Sequence, residues 1–323
     1  VLSGASGSAL FRVDAPSTIR RERGVVPYGV HGFGRSVAGG LDATGDGHAD
    51  VVVGADGMAL VIDGALRSIT FSVAAIEGDD GLVVERRLGN DIGYEPTWGS
   101  AAKWGGGVVL LPDFDGDDRA EIAFGVGPDA PYRKEELGAL FVAPSRGPSI
   151  VLPSAGSNLL ALPDCDEDGV VQLVAATDSR HVKVFCPRDG RLIWAVDFFG
   201  GAFLGEGASL AVHPDFDRDG VPDLVQGAVE TSDCDPGFAS LHSGRNGWGL
   251  VRIDSIELDE DLRPVVSEDA CRSGYDVAVV ADINGDGASE ICVHRPSSGE
   301  IRMLDGTLLQ PLWNVRSAHL PRD

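Results

Sequence analysis

Short apolar runs with a period of two recur along the whole chain, and glycine-containing turns separate them. Alternating apolar and polar residues on both sides of such a turn predict a β-hairpin. We place six hairpins at 1–15, 59–73, 139–152, 182–196, 239–253 and 301–315. The pattern therefore predicts an all-β chain that is built from repeated hairpins.

An acidic loop of nine residues precedes five of these hairpins, at 42–50, 113–121, 164–172, 215–223 and 282–290. A short apolar strand leads into each loop and another follows it, so each repeat has four antiparallel strands. Four antiparallel strands per repeat are typical of a β-propeller blade. We predict one propeller domain over 1–323, with complete blades at about 25–75, 90–152, 153–198, 203–253 and 270–315. The hairpin 1–15 resembles the outer half of a further blade, so the chain forms either an irregular ring of five to six blades or part of a six- or seven-bladed ring.

The acidic loops carry oxygen-bearing side chains at positions one, three and five, and an acid or amide at position nine. Calcium takes about six to eight oxygen ligands in tolerant geometry, so alternate carboxylates of a tight loop suit it. The predicted side-chain ligands are Asp42, Thr44, Asp46, Asp50, Asp113, Asp115, Asp117, Glu121, Asp164, Asp166, Asp168, Asp215, Asp217, Asp219, Asp223, Asp282, Asn284, Asp286 and Glu290. Position seven adds a backbone carbonyl, from His48, Arg119, Val170, Val221 and Ala288.

The five copies differ in their ligands. Thr44 offers a hydroxyl at position three of the first loop, which is a weaker ligand than a carboxylate. Gln172 removes the charge at position nine of the third loop, so we predict the weakest site there. Glycine at position six permits the positive φ of a sharp turn, and Asp118 replaces it in the second loop at some cost. We predict four to five calcium sites.

Two other interpretations of the loops are less favourable. An EF-hand loop has twelve residues between helices, whereas these loops close at position nine and a strand follows. Ordinary acidic surface turns would also be rich in aspartate and glycine. Five copies in the same frame, each before an apolar strand, argue against that alternative.

Charge narrows the class of partner. The formal net charge is −24, and the five loops hold 19 of the 50 acidic residues. Five calcium ions would bring the balance to about −14. The remaining acidity argues against nucleic acid, which calls for basic patches.

Hydropathy and metal affinity bear on location. No stretch approaches the ~20 apolar residues of a membrane span, and no signal peptide is present in this chain. Weakly shielded calcium sites require calcium near the millimolar range, which favours an extracytoplasmic setting, whether secreted, periplasmic or at the cell surface.

The segment around the first acidic loop resembles a known repeat. Phe33-Gly34 precedes the loop, and Gly54-Ala55 follows the strand after it. This arrangement is similar to the FG-GAP repeat of integrin α-chain propellers and their bacterial relatives, and the resemblance extends over nearly the whole chain at its acidic loops. It implies a propeller with structural calcium in hairpins on one face, and ligand binding on the opposite face or the rim. Integrin-like propellers usually have seven blades, more than the five complete repeats found here.

The favoured function is noncatalytic: a calcium-stabilised propeller for extracytoplasmic recognition or adhesion, with a protein or carbohydrate ligand on loops away from the calcium sites. The insertion 90–104, which contains Trp98, is the candidate surface. The alternative is a calcium-dependent polysaccharide-degrading enzyme of the lyase type, or its accessory propeller. A purely architectural module is a third possibility.

Several other residues are expected to be structural. The seven histidines show no ligand spacing, and no serine hydrolase motif is present, so we predict no catalytic residues. His213, which lies beside the fourth loop, is expected to pack. Trp194 and Trp313 end equivalent hairpin strands and are expected in the core. Cys234 and Cys271 lie in polar stretches and could pair.

Overall fold

A computed structural model describes most of the repeated segments. The described residues are 1–3, 5–14, 19–21, 24–26, 33–34, 36–55, 58–78, 81–88, 107–126, 139–143, 150–153, 158–176, 181–197, 209–228, 238–254, 257–258, 264–265, 276–295 and 300–316. They form strands and turns; none of them lies in a helix, so no membrane-spanning helix occurs among them.

Along the described residues, the alternating sequence pattern produces 25 strands. They are β1 Ile19–Arg21, β2 Gly24–Val26, β3 Val37–Gly39, β4 Val51–Ala55, β5 Met58–Asp63, β6 Ser68–Gly78, β7 Gly81–Leu88, β8 Val108–Leu111, β9 Glu121–Val126, β10 Ala139–Ala143, β11 Ile150–Pro153, β12 Asn158–Leu162, β13 Gln172–Ala176, β14 His181–Phe185, β15 Leu192–Asp197, β16 Ser209–His213, β17 Asp223–Ala228, β18 Phe238–His242, β19 Gly249–Asp254, β20 Glu257–Leu258, β21 Pro264–Val265, β22 Asp276–Val280, β23 Glu290–Arg295, β24 Glu300–Leu304 and β25 Pro311–Arg316.

Five antiparallel sheets correspond to the five predicted repeats. Four sheets have four strands each: β8 to β11, β12 to β15, β16 to β19 and β22 to β25. Within every sheet, strands that follow each other in sequence are neighbours, as in a propeller blade. The predicted all-β class with four-stranded antiparallel blades is confirmed. The number of blades in a ring and the single domain over 1–323 stay predictions.

The first sheet departs from the prediction because it has five strands, β3 to β7. β6 runs on to Gly78 and pairs with β7, beyond the predicted end of the first blade at about residue 75. Two further hairpins, β1–β2 and β20–β21, were also not predicted. In the leading hairpin Leu2 and Ala9 form an antiparallel bridge, and the N–H groups of Ser3 and Leu10 donate to the carbonyls of Ser8 and Val1.

Each acidic loop joins the first and second strands of its sheet. In the four sheets whose turn between the third and fourth strands is described, that turn lies at the same edge. A register shift precedes this turn in four sheets, at Val61/Ile62, Val184/Phe185, Leu241/His242 and Met303/Leu304. Such a bulge bends its strand. The bend comes just before the turn that lies beside the acidic loop.

The chain divides into two compact units, one formed by Val1–Ala161 with Pro187–Gly190 and the other by Leu162–Cys186 with Arg191–Asp323. Apolar side chains of neighbouring sheets form a core in each unit. In the first, Val61 and Phe71 cluster with Ile122 and Phe124. In the second, Val225 and Leu241 cluster with Ile291 and Val293. The period-two pattern therefore buries one set of residues between sheets.

The two equivalent tryptophans have different environments. Trp194 is buried, as predicted, and its indole N–H donates to the carbonyl of Gly244 at 2.8 Å. Gly247 packs against the same ring, because a Cβ added there would lie 2.7 Å from a ring carbon. Trp313 is 43% exposed, so its expected place in the core is wrong. Equivalent positions in two repeats therefore do not guarantee equal burial of the tryptophan side chain.

Candidate metal centres

The five acidic loops share one backbone conformation. Position four has φ between 62° and 84°, and position six has φ between 67° and 90°, in every copy. Position six was predicted to be left-handed, and Asp118 takes that conformation with φ 67°. The same requirement at position four was missed, although three loops have glycine there. Glu167 and Arg218 occupy position four at some steric cost.

The aspartate at position one organises the turn. In all five loops its Oδ2 accepts the N–H of position six at 2.7–3.0 Å. These N–H groups lower the pKa of Asp113, through Gly116 and Asp118, and that of Asp282, through Gly287 and Gly285. In the second and fifth loops the backbone N–H groups therefore favour the ionised carboxylate.

The aspartate at position five holds the second half of the loop. Its Oδ1 accepts the N–H of position seven at 2.8–3.0 Å in all five copies. Positions one and five are thus fixed by bonds to the main chain. The loop conformation is therefore set by bonds between these side chains and nearby backbone N–H groups.

The side chain at position nine closes the loop. One of its oxygens accepts the N–H of position two at 2.5–3.2 Å in every copy, including the amide oxygen of Gln172. Where the residue is aspartate, the other oxygen accepts an N–H from the nearby turn: Gly64 donates to Asp50 at 2.9 Å, and Gly244 donates to Asp223 at 3.1 Å. Position nine therefore joins the loop to the turn between the third and fourth strands.

The turn lies against the loop so closely that only glycine fits. A Cβ at Gly64, Gly244 or Gly306 would lie 1.7–2.0 Å from the carbonyl oxygen at position eight of the loop in its own repeat. Backbone atoms cannot yield at that distance. The sequence signals this contact by a glycine after Asp63, Ser243 and Asp305, but its reason is visible only in the structure.

Glutamate at position nine leaves a buried oxygen without a hydrogen bond. Glu121 is 1% exposed and Glu290 is 0% exposed, and Oε1 of each has no hydrogen-bond partner among the described residues. Burial raises the pKa of Glu121 to about 8, and the charges of Asp115, Asp113 and Asp117 add to the rise. An unpaired buried carboxylate oxygen costs free energy unless a cation or proton satisfies it.

Four loops bring their acidic side chains together so that one oxygen from each lies within 4.8 Å of the others. The groups are Asp113, Asp115, Asp117 and Glu121; Asp164, Asp166 and Asp168; Asp215, Asp217 and Asp223; and Asp282, Asp286 and Glu290. These sets of oxygen ligands could hold a metal ion. The backbone carbonyls at position seven stay predictions as ligands.

The first loop is not among these groups. The Thr44 hydroxyl donates to Asp42 at 3.3 Å, and Asp46 lies 3.4 Å from a ring nitrogen of His48. Asn284 of the fifth loop donates to Asp305 at 3.1 Å and to Asp286 at 3.3 Å. Whether Asp42, Asp46, Asp50 and Asn284 act as ligands stays a prediction.

The fourth loop is engaged by an arginine. Arg245 lies in the turn between β18 and β19, and its Nε is 3.0 Å from Asp219. Its Nη1 reaches Glu167 of the third loop at 3.3 Å. Asp219 was predicted as a ligand, but the structure pairs it with Arg245 and the grouped carboxylates of this loop do not include it. Sequence spacing alone could not reveal this ion pair.

His213 has a structural role. It is 2% exposed, and its Nδ1 accepts the N–H of Asp215 at 3.3 Å, so Nε2 carries the proton and donates to the carbonyl of Ser289 at 3.1 Å. It therefore links the fourth and fifth loops. The other residues singled out from the sequence, Trp98, Cys234, Cys271 and the insertion 90–104, lie outside the described residues.

Comparison with known proteins identifies one repeat. The FG-GAP repeat family matches residues 33–62, so the predicted resemblance is confirmed at the first acidic loop. A search of curated protein sequences finds no match.

Two solved structures are similar at low identity. Sqt1 of Saccharomyces cerevisiae has 10% identity and a TM-score of 0.47, over 87% of this chain and 74% of that chain. The dihydro-heme d1 dehydrogenase NirN in complex with DHE has 13% identity and a TM-score of 0.43, over 96% of this chain and 66% of that chain. Similarities at this level carry no functional inference.

Proposed function

We propose that this chain is a noncatalytic, calcium-stabilised β-propeller that serves extracytoplasmic recognition or adhesion. The FG-GAP repeat at residues 33–62 and the four-stranded blades support the propeller. The grouped carboxylates of the acidic loops support the metal.

One observation carries the choice of metal. The second and fifth loops each close on a buried glutamate whose Oε1 has no hydrogen-bond partner among the described residues, beside two or three further carboxylates. A cation would satisfy these oxygens and neutralise the clustered charge. Oxygen ligands without nitrogen or sulfur suit a hard cation, and a flexible loop with four or more oxygens suits calcium better than magnesium.

Bound calcium would act on stability. The ligand set exists only when the loop is folded, so binding shifts the equilibrium towards the native state. In the second to fifth loops the position-nine residue begins the second strand of its sheet, so an ion held there would tie the loop to the sheet. This role requires no chemical step at the metal.

Recognition is assigned to surfaces away from the metal loops. We propose a protein or carbohydrate ligand, with the insertion 90–104 and Trp98 as the contact region. The net charge of −24 supports a ligand other than nucleic acid. An extracytoplasmic location would supply the calcium that exposed loops of this kind require.

Thermal unfolding with excess calcium and with chelator, together with the number of bound ions, tests the metal. We expect a higher Tm in calcium and about four bound ions. The variants Glu121→Gln and Glu290→Gln should each lose one ion. Equal Tm values in both buffers and no bound calcium would reduce the loops to ordinary acidic turns.

The ligand is tested by screening immobilised glycans and secreted proteins with the calcium-loaded chain. Trp98→Ala should weaken binding at least tenfold without lowering the Tm. A lower Tm with unchanged binding would place Trp98 in the core and remove the insertion as the contact surface.

A further inference from the structure

We propose that the third acidic loop is closed by the chain's own donors, Arg191 and Gln172, and takes no calcium. The inference rests on the proposed calcium function of the other loops. The sequence predicted the weakest calcium site at this loop. We infer instead that the guanidinium of Arg191 neutralises its carboxylates.

The first argument is the direction of the Gln172 amide. Its oxygen accepts the N–H of Cys165 at 2.6 Å, so its nitrogen must point into the loop. That nitrogen donates to Asp166 at 2.8 Å and to the carbonyl of Val170 at 2.6 Å. These are the oxygens predicted as ligands at positions three and seven. The N–H groups of the Gln172 amide therefore point towards the oxygens that would coordinate a cation, where a position-nine ligand would have to offer a lone pair.

The second argument is the position of Arg191. Its guanidinium lies 2.8 Å from Asp166 and 3.4 Å from Asp168. Arginine is always charged and has several donors in a fixed plane, so it can neutralise two carboxylates together. Arg191 comes directly after the turn of its own sheet, at the edge where the acidic loop lies. The position of the turn therefore places the positive charge of Arg191 beside the carboxylates of the third loop.

The third argument is the contrast at position nine. Gln172 is 0% exposed, and both ends of its amide are hydrogen-bonded within the loop. Glu121 and Glu290, equally buried at the same position, each keep an oxygen without a partner among the described residues. The third loop thus has its polar groups satisfied without an ion. It should remain ordered when calcium is withdrawn.

Matched variants at position three test the inference by counting calcium bound at equilibrium. Asp166→Asn in the third loop should leave the count unchanged, whereas Asp115→Asn, at the same position of the second loop, should lower it by one. The double variant Gln172→Glu/Arg191→Gln restores a carboxylate and removes the internal cation, so it should bind one ion more than the wild type. Loss of an ion in Asp166→Asn, or no gain in the double variant, would overturn the inference.

A second measurement does not depend on calcium. In chelator, Arg191→Gln should lower the Tm by about 2 °C, while Arg188→Gln, an exposed arginine in the same turn, should not. An unchanged Tm in Arg191→Gln would overturn the role of the guanidinium. If the wild type binds no calcium in any loop, the proposed function fails, and this comparison still decides the role of Arg191.

Discussion

The second and third acidic loops have the same backbone conformation but differ in how their carboxylates are satisfied. Both have left-handed residues at positions four and six, and in both the position-one aspartate accepts the N–H of position six at 2.8 Å. The second loop closes on Glu121, whose pKa is raised to about 8. The third closes on Gln172, whose amide nitrogen satisfies the loop. The second loop thus keeps a buried carboxylate oxygen without a hydrogen-bond partner among the described residues, whereas Gln172 and Arg191 supply donors to the third loop.

We expect Glu121→Gln to change the free energy of unfolding more than any other variant that separates the two loops. In saturating calcium, Glu121→Gln should lower the free energy of unfolding by about 4 kcal/mol, because an ion present at a thousand times its Kd contributes about that much. In chelator the variant should be at least as stable as the wild type, since it removes a buried charge beside three aspartates. Thermal unfolding in both buffers measures the difference in stability between the variant and the wild type. An equal loss of stability in both buffers would contradict a metal role for Glu121.

A smaller effect follows from pH. The folded-state pKa of Glu121, about 8, exceeds its ordinary value of 4.5 because of burial and neighbouring charges. Neutral Glu121 therefore stabilises the metal-free fold fully below about pH 4.5, and this contribution is lost as pH rises through about 8.

In chelator, the wild type should thus lose roughly 3 kcal/mol relative to Glu121→Gln between pH 6 and pH 9. The loss should vanish in calcium, which favours the carboxylate. Unfolding at several pH values measures it. A constant difference between the two proteins across this range would show that Glu121 is ionised throughout.

The third loop should respond to Gln172→Met without regard to calcium. The substitution keeps the length of the side chain but leaves the N–H of Cys165 buried without its acceptor. Loss of that bond should cost about 2 kcal/mol. Denaturant unfolding in calcium and in chelator should give the same value, and a loss confined to calcium would indicate an ion in this loop.

The smallest effect concerns position six. Asp118 adopts φ 67° and Gly169 adopts φ 82°. Asp118→Gly should stabilise the second loop by about 1 kcal/mol, and Gly169→Asp should destabilise the third by a similar amount, because a left-handed conformation strains a residue that has a Cβ. Urea unfolding of both variants measures the pair, and changes of the same sign would contradict a conformational origin.

Much of the fold was predictable because its signals are local. The period-two runs gave the hairpins correctly, and the spacing of the acidic loops gave the four-stranded sheets. The fifth strand β7 was missed because the segment after Gly78 continues a hairpin where the repeat pattern had already ended. Burial by contacts from another sheet was not predictable. Trp194 is buried by the turn at Gly244 and Gly247, whereas Trp313, at the equivalent position, is exposed.

The candidate sites divide in the same way. The loop conformation follows from local sequence, because the bonds that positions one, five and nine make inside the loop span only two to seven residues. Only the tertiary structure decided the partners that come from elsewhere: Arg191 reaches Asp166 across 25 residues, and Gly244 reaches Asp223 across 21. These contacts depend on where strand pairing places the turn relative to the loop. That placement decides which donors from the turn reach the carboxylates of each loop.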